Sequence, residues 1–384
     1  MPLAMQGLKV LDFSQGVAGP HAALLCAQHG ADVVKVEPLA GDWCRALGQQ
    51  YGDLTANSVV YNRGKRSVAV NMKDAGALAA IRQMALKADV IIESFRPGVM
   101  AHFGLDHAAI EKENSAVVYV SINGFGNRGP LVEAPATDMV LQGFTGLMYC
   151  NADAGGAPQR IDLVLVDIAT GLYAFHALSA GLLERARFGT SGRYIECSLM
   201  KSAIALQAGR IVEDFMGGSM TNIYHPAGVF AASDGYLSLT VRRDEHFAAL
   251  CTGIGRTDLV ESGRFATVAL RREHAREMLP IVRAALLGMT VAQISAMLTA
   301  ADILHSRINN HAEMLAHEQT AAAGAIHWRR QDGVEARLPI ADIPGAPDPA
   351  PDLQAPHLGQ HTRQAMQDWG VSAPLIDRLA GGGN

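Results

Sequence analysis

The chain has 384 residues, 49% of them hydrophobic, and a formal net charge of −5. Single hydrophobic cores rarely grow past roughly 250–300 residues, so more than one domain is expected. The balance is slightly acidic and the basic residues are scattered, so no field draws the chain to nucleic acid or an anionic membrane, and neither is expected as a partner.

The opening MPLAMQGLKVLDFSQ has no basic segment followed by an apolar one, so no secretory leader is expected. Leu8–Phe13 reads as a short strand, and the Ala-rich stretch after Pro20 as a helix. Asp32–Glu37 and Ser67–Asn71 are further strands, with a helix from about Ala75 to Lys87. Asp89–Glu93 and Val117–Ile122 complete a series of β-branched runs separated by helices. That alternation predicts βαβ units and a mostly parallel sheet, whose ligands bind beyond the carboxyl ends of the strands.

Beyond Met139 a Gly-rich stretch precedes Ile161–Val166, a strand-like run that feeds Asp167 and a long helix over about Ala169–Arg187. Tyr194–Ser198 reads as a strand and Leu199–Phe215 as a helix. Gly217, Gly218 and Pro226 mark Met216–Ala227 as a linker. A hairpin over Val229–Val241 is expected to turn at Ser233-Asp234-Gly235. Helical periodicity follows over Asp244–Leu298, so residues 228–320 are expected to form a small α+β domain. The large domain is expected over 1–215, and 321–384 as a linker and C-terminal return to it. The Pro-rich Gly345–Pro356 should cross the surface before a last short helix.

Cys26, Cys44, Cys150, Cys197 and Cys251 are far apart, odd in number and without a CxxC pair. Neither a disulfide framework nor a zinc site is expected, and a reducing, cytoplasmic setting fits best. No apolar stretch approaches the ~20 residues that span a bilayer. HExxH-type spacings are absent, and so is the GxSxG elbow.

Gly124-Phe-Gly-Asn-Arg-Gly129 fits the GxGxxG fingerprint, but Pro130 and LVEAPA follow where a helix must open, so a Gly-rich turn is the better reading. Asp167 lies at a strand-to-helix junction. Capping is the commoner role for Asp there. The same helix start would keep a carboxylate ionised, and an ionised, partly desolvated carboxylate is a nucleophile. Spacing alone does not separate the two. Lys35, Arg63, Lys65, Arg66, Lys73 and Arg96 lie at or beside strand ends, where a phosphate-bearing ligand would need them, although a solvated surface is the usual fate of such charges.

Several segments taken in order carry a resemblance: GLKVLDFSQGVAGP (Gly7–Pro20), GADVVKVEPLAGDWCR (Gly30–Arg45), NRGKRSVAVNMK (Asn62–Lys73), ADVIIESFRPGVMAHFGL (Ala88–Leu105), SINGFGNRGP (Ser121–Pro130), the unit Asp167–Leu199, and PHLGQHT (Pro356–Thr362). Together they resemble the class III CoA-transferase family, which includes formyl-CoA and carnitine CoA-transferases and α-methylacyl-CoA racemases. The resemblance implies a large Rossmann-like domain built from both chain ends, a small inserted domain, and a homodimer of intertwined chains. It implies Asp167 as a covalent nucleophile that moves coenzyme A from an acyl-CoA, such as succinyl-CoA, to a small carboxylic acid. No permanently bound cofactor is implied. The family's CoA-binding positions fall on Gly16, Val17, Ala18, Val70, Lys73, Ser94, Phe95 and His102.

Formyl-CoA transferases carry Gln at Val17, Arg at Pro38, Asn at Ser94, Arg at His102 and Tyr at Thr137, so formyl or oxalate specificity is not implied. Lys35, Arg66 or Arg96 are expected to supply the missing phosphate contacts. Racemases place a His at Thr137, and a threonine is no base near neutral pH, so the resemblance favours transfer. A racemase and a non-catalytic CoA binder remain the alternatives. Arg160 and Tyr224-His225 are candidates for a carboxylate pocket.

Overall fold

The computed structural model describes residues 2–153, 155–218, 223–346 and 353–381. Six short apolar runs pair as one parallel sheet: β1 (Lys9–Asp12), β2 (Asp32–Glu37), β3 (Arg66–Ala69), β4 (Val90–Glu93), β5 (Val118–Asn123) and β6 (Arg193–Ser198). Their order is β3-β2-β1-β4-β5-β6. The strands run outward from β1 in one direction and from β4 in the other. The sheet therefore reverses between β1 and β4, and the loops after these two strands bound the crevice where such sheets bind ligands.

Both faces are covered, which is why the strands read as near-continuous apolar runs. Helices α1 (Ala18–Gln28) and α5 (Leu165–Phe188) pack on one face with Val10, Val33, Val90, Val118 and Val120. Helix α3 (Ala75–Ala85) and the C-terminal α7 (Thr362–Asp368) and α8 (Ala373–Gly381) cover Leu11, Val34, Val68, Ile91 and Tyr119 on the other. By length and composition α5 could cross a bilayer, yet its Val166, Ala174 and Leu178 are buried in this core. Further helices of this unit include α2 (Ala56–Asn62), α4 (Asp138–Phe144) and α6 (Leu199–Leu206).

The predicted strand at Ile161–Val166 does not form. Gln142 satisfies that backbone instead: its Oε1 accepts from Ile161 N at 2.9 Å, and its Nε2 donates to the carbonyls of Ile161 and Leu163 at 3.1 and 3.2 Å. Leu165 and Val166 already belong to α5. The helix expected over Leu199–Phe215 breaks at Gln207, whose Nε2 reaches the Thr145 carbonyl at 3.1 Å.

The chain divides into two compact units, residues 1–208 with 325–384, and residues 209–324. The division falls earlier than the expected linker at Met216–Ala227, of which residues 219–222 lie outside the described residues. In the second unit a hairpin of β7 (Ala227–Ala232) and β8 (Gly235–Thr240) is joined by β9 (Leu304–Arg307), a strand not expected from the sequence. Its core holds Phe230, Leu237, Phe247, Val282, Ile294 and Leu298. Within the first unit, β10 (Ile326–Gln331) and β11 (Val334–Ala341) form a hairpin where only a linker was expected. The PHLGQHT segment straps the C-terminal return to the sheet: Leu358 N donates to Asp53 at 2.6 Å and Gly359 N to Ser67 Oγ at 2.9 Å. Residues 347–352 of the expected surface crossing lie outside the described residues.

Candidate active site

The loop after β1 is fixed from below by buried charge. Asp42 accepts from Gly16 N at 2.9 Å and from Cys44 N at 2.9 Å. Lys35 pairs with Asp42 at 2.9 Å and donates to the Ser14 carbonyl at 2.7 Å. Lys35 is fully buried, so it holds the loop and is not available to a phosphate. Gly16 is required there twice over. Its φ is +81°, and a Cβ would stand 2.2 Å from the Trp43 ring. Helix α1 then opens without a capping side chain at Val17, which leaves its first amides for a ligand.

Asp167 is the third residue of α5 rather than its cap. The capping role falls to Asp138, the first residue of α4. Its Oδ2 accepts from Val166 N at 2.6 Å and from Asp167 N at 3.1 Å, while Oδ1 accepts from Gln142 at 2.6 Å. Thr137 caps α4 in turn, its hydroxyl accepting from Val140 N at 3.5 Å. The Asp167 carboxyl is not kept ionised as a helix start alone would suggest. Burial, and then the neighbouring Asp138 carboxylate, push it up to about 7. Two opposing effects meet, and desolvation outweighs the helix dipole.

Helices α1 and α5 approach closely beside this carboxylate. At Gly171 a Cβ would stand 2.7 Å from the Ala18 carbonyl. His21 on α1 places Nδ1 3.2 Å from the carbonyl of Ile168, the residue after Asp167. The Tyr61 ring meets His21 edge-on at 5.6 Å, and burial with the nearby Asp167 pushes its phenol up to about 12.

Asp167 faces a cavity of about 230 Å³ shared with Gln15, Val17, Ala18, Trp43, Ser94, Phe95, Asn123 and Thr137. A second cavity of about 290 Å³ continues from Gln15 and Phe95. Phe13, Val36, Val70, Met72 and Phe103 make it mostly apolar, with Lys73 in its wall. The Ser94-Phe95 turn between the two is held from beneath: Gln15 N donates to Ser94 Oγ at 2.9 Å, and Glu93 accepts from Phe95 N at 2.8 Å.

Of the residues singled out in the sequence, Val17, Ala18, Ser94, Phe95 and Thr137 thus converge with Asp167, and Val70 and Lys73 line the adjoining cavity. Gly16 acts by admitting Trp43. Arg96 and His102 are exposed and line neither cavity; His102 stacks edge-on against Phe103 at 5.2 Å. Arg66 is committed to Asp32 and Asp368, and Lys65 is buried against Asp12 at 2.8 Å. Burial, together with the charge of Arg329, lowers Arg63 to about 10. Arg160 is exposed and pairs with Asp162. Tyr224 and His225 belong to the second unit, where Arg242 lies over the Tyr224 ring and the His225 carbonyl accepts from Arg271 at 3.0 Å. Gln15, Trp43, Asn123 and Asp138 were not picked out by sequence. For Asp138 a signal existed, since Thr-Asp opening an apolar helical run marks a helix start. Among the described residues, no cluster of three or more His, Cys, Asp or Glu is placed to hold a metal ion.

A carboxylate raised towards neutrality, set beside an uncapped helix start at the switch point of a parallel sheet, defines an enzyme site for an elongated ligand. The chain belongs to CoA-transferase family III, which it matches over residues 5–362. It is 30% identical to the succinate–glutarate CoA-transferase of Agrobacterium fabrum, over 95% of this chain and 95% of that one. It is 34% identical to the acetyl-CoA:oxalate CoA-transferase of Acetobacter aceti, over 67% and 69% of the two chains. Among solved structures it is similar to a CAIB/BAIF family protein from Brucella suis, with a TM-score of 0.87 at 27% identity, covering 96% of this chain and 100% of that one.

Proposed function

We propose that this enzyme moves coenzyme A from an acyl-CoA, with succinyl-CoA as the expected donor, to a small carboxylic acid through a covalent intermediate on Asp167. The observation that carries this reading is that, among the described residues, Asp167 is the one carboxylate lining a cavity that adjoins a mostly apolar one. An Asp167 oxygen attacks the thioester carbonyl, the C–S bond breaks, and the CoA thiolate leaves. The resulting mixed anhydride is attacked by that thiolate at the Asp167 carbonyl. The bond between the Asp167 carbonyl carbon and the bridging oxygen breaks, so that oxygen leaves with the first acid and an aspartyl-CoA thioester remains. The acceptor carboxylate then runs the same steps in reverse. One thioester replaces another, so no external energy source is needed.

The first amides of α1, at Ala18 and Gly19, are suited to receive the oxyanion that forms in each attack. Thr137 lines the cavity with its hydroxyl already accepting from Val140 N, which disfavours a second base and hence racemisation. Incubation with succinyl-CoA, trapping with hydroxylamine or borohydride, and mass spectrometry should find Asp167 modified. Full activity in Asp167→Ala with no modification would refute the mechanism.

A homodimer is part of the proposal. Leu172, Tyr173, Leu183 and Phe188 on α5 and Met139 and Phe144 on α4 are exposed, an apolar area that a second copy would cover. Light scattering that finds a stable monomer would sink it. A cytoplasmic setting is proposed on the five free thiols.

A further inference from the structure

Helices α1 and α5 meet beside Asp167 through two features that the transfer steps do not use. The first is His21 on α1, whose Nδ1 lies 3.2 Å from the carbonyl of Ile168. A carbonyl only accepts, so a proton sits on Nδ1 and is donated from one helix to the other. Burial lowers the pKa of this imidazole, against the pull of the Ile168 carbonyl, so the ring is neutral near pH 7. Among the described residues this is the one hydrogen bond that joins α1 to α5. His21 lines neither the Asp167 cavity nor the apolar one, so it acts on the reaction through what it holds.

The second feature is Gly171, about one helical turn beyond Asp167. Its bare α-carbon admits the Ala18 carbonyl: a Cβ there would stand 2.7 Å from that oxygen and 2.8 Å from both Cβ and Nδ1 of His21. The Ala18 carbonyl and the Gly19 amide are two ends of one planar peptide. Whatever displaces the oxygen therefore re-aims the N–H. Pro20 has no amide hydrogen, and His21 N is already bonded to the Val17 carbonyl at 2.8 Å, so this turn has Ala18 N and Gly19 N to offer an oxyanion. The turn is also held from its other side. A Cβ on Gly19 would stand 2.2 Å from Ser14 Cβ, and Lys65 Nζ donates to the Pro20 carbonyl at 2.9 Å. Opposite it, Asp138 fixes the first turn of α5 through Val166 N and Asp167 N. Two braced turns thus face each other, and His21 with Gly171 sets their separation.

We infer that His21 and Gly171 aim the acyl-transfer site, holding the Ala18–Gly19 peptide at a fixed distance from the turn that carries Asp167, with His21 as a positioning residue; this rests on the CoA-transfer reading above. The test follows a single turnover of succinyl-CoA, quenched into hydroxylamine and read at Asp167 by mass spectrometry. It compares the wild type with His21→Ala, His21→Asn and Gly171→Ala, and calorimetry measures the affinity of each for coenzyme A. In His21→Ala the acylation rate constant should fall about tenfold to a hundredfold, the scale of a donor that is present but misaimed. Its Kd for coenzyme A should stay within about twofold of wild type. His21→Asn offers an amide N–H in place of Nδ1 and should bring the rate back to within about threefold of wild type, with the pH dependence of acylation unmoved. Gly171→Ala should slow acylation at least as much as His21→Ala. Loss of folded protein would lower the amplitude of the turnover and leave its rate constant in place, so the rate constant reports the aim. An unchanged rate constant in His21→Ala, a weakened coenzyme A affinity that accounts for the whole loss, or a pH dependence that His21→Asn abolishes would each overturn the positioning role. Transfer by the wild type would then leave the functional reading standing. A wild-type chain that never acylates Asp167 overturns both.

Discussion

Replacing Asp167 by Asn should stabilise the protein, and by an amount that depends on pH. Burial and Asp138 raise this carboxyl from 3.8 to about 7, so the folded state binds its proton more tightly than the unfolded chain does. Stability from this group is present at low pH and is lost as pH rises from about 4 to about 7, after which the loss is constant. At ~1.4 kcal/mol for each tenfold difference in proton affinity, the ionised carboxylate costs the folded state up to roughly 4 kcal/mol at pH 8, against roughly 1.6 kcal/mol at pH 5. Asparagine has no proton to lose and escapes this cost. Trp43, Trp328 and Trp369, all in the first unit, report its unfolding, so urea titrations followed by tryptophan fluorescence at pH 5 and pH 8 measure the difference. The variant should be inactive, yet more stable than wild type at pH 8 by about 2–4 kcal/mol, with a clearly smaller margin at pH 5. An equal margin at both pH values, or a less stable variant at pH 8, would refute the argument.

Asp138→Asn keeps an oxygen to accept from Val166 and Asp167 but removes the like charge. The acid limb of kcat/KM, expected near 7 in the wild type, should move to lower pH in this variant; an unmoved limb in the pH–rate profile would count against Asp138 as its neighbour in charge. Lys35→Met leaves Asp42 buried without its partner and should cost about 3–5 kcal/mol in chemical denaturation. A variant of unchanged stability with a raised KM for acyl-CoA would instead make Lys35 a ligand contact.

The parallel sheet was legible because strands buried on both faces are mostly apolar, as Val33, Val34 and Val36 of β2 and Val90, Ile91 and Ile92 of β4 are. The same logic misled at Ile161–Val166. Apolar character says that a segment is buried, not that a strand edge is free to pair with it, and here the Gln142 amide takes the backbone hydrogen bonds. The hairpin of β10 and β11 carried a visible Asp332-Gly333 turn and, in Val334, Ala336, Leu338 and Ile340, an alternating apolar face that packs through Leu338 and Ile340; its partner strand, rich in Arg and His, offered no matching pattern. Lys35 was misread as a loop cation although it interrupts Asp32–Glu37, a run that must be buried; a lysine there needs a buried partner, and Asp42 is that partner. Asp167 was singled out through motif order. Its environment was not legible, because Asp138 lies 29 residues away in the chain and meets it only through the start of α5.

Asp138 does two jobs at this site. Its oxygen accepts from Val166 N and Asp167 N, which fixes the first turn of α5 and thereby the backbone that carries the Asp167 carboxyl. Its charge opposes ionisation of the side chain on that same turn. A carboxylate with a low pKa would be fully ionised but weakly basic and a poor nucleophile, whereas one raised well above neutrality would be mostly protonated. A value near 7 lies between these limits, with a substantial ionised fraction near neutral pH and greater basicity than an ordinary aspartate. With Asp167 as the proposed nucleophile, removing Asp138 altogether should therefore slow transfer even though it favours the ionised form of Asp167, because the first turn of α5 would lose both of its bonds to that carboxylate.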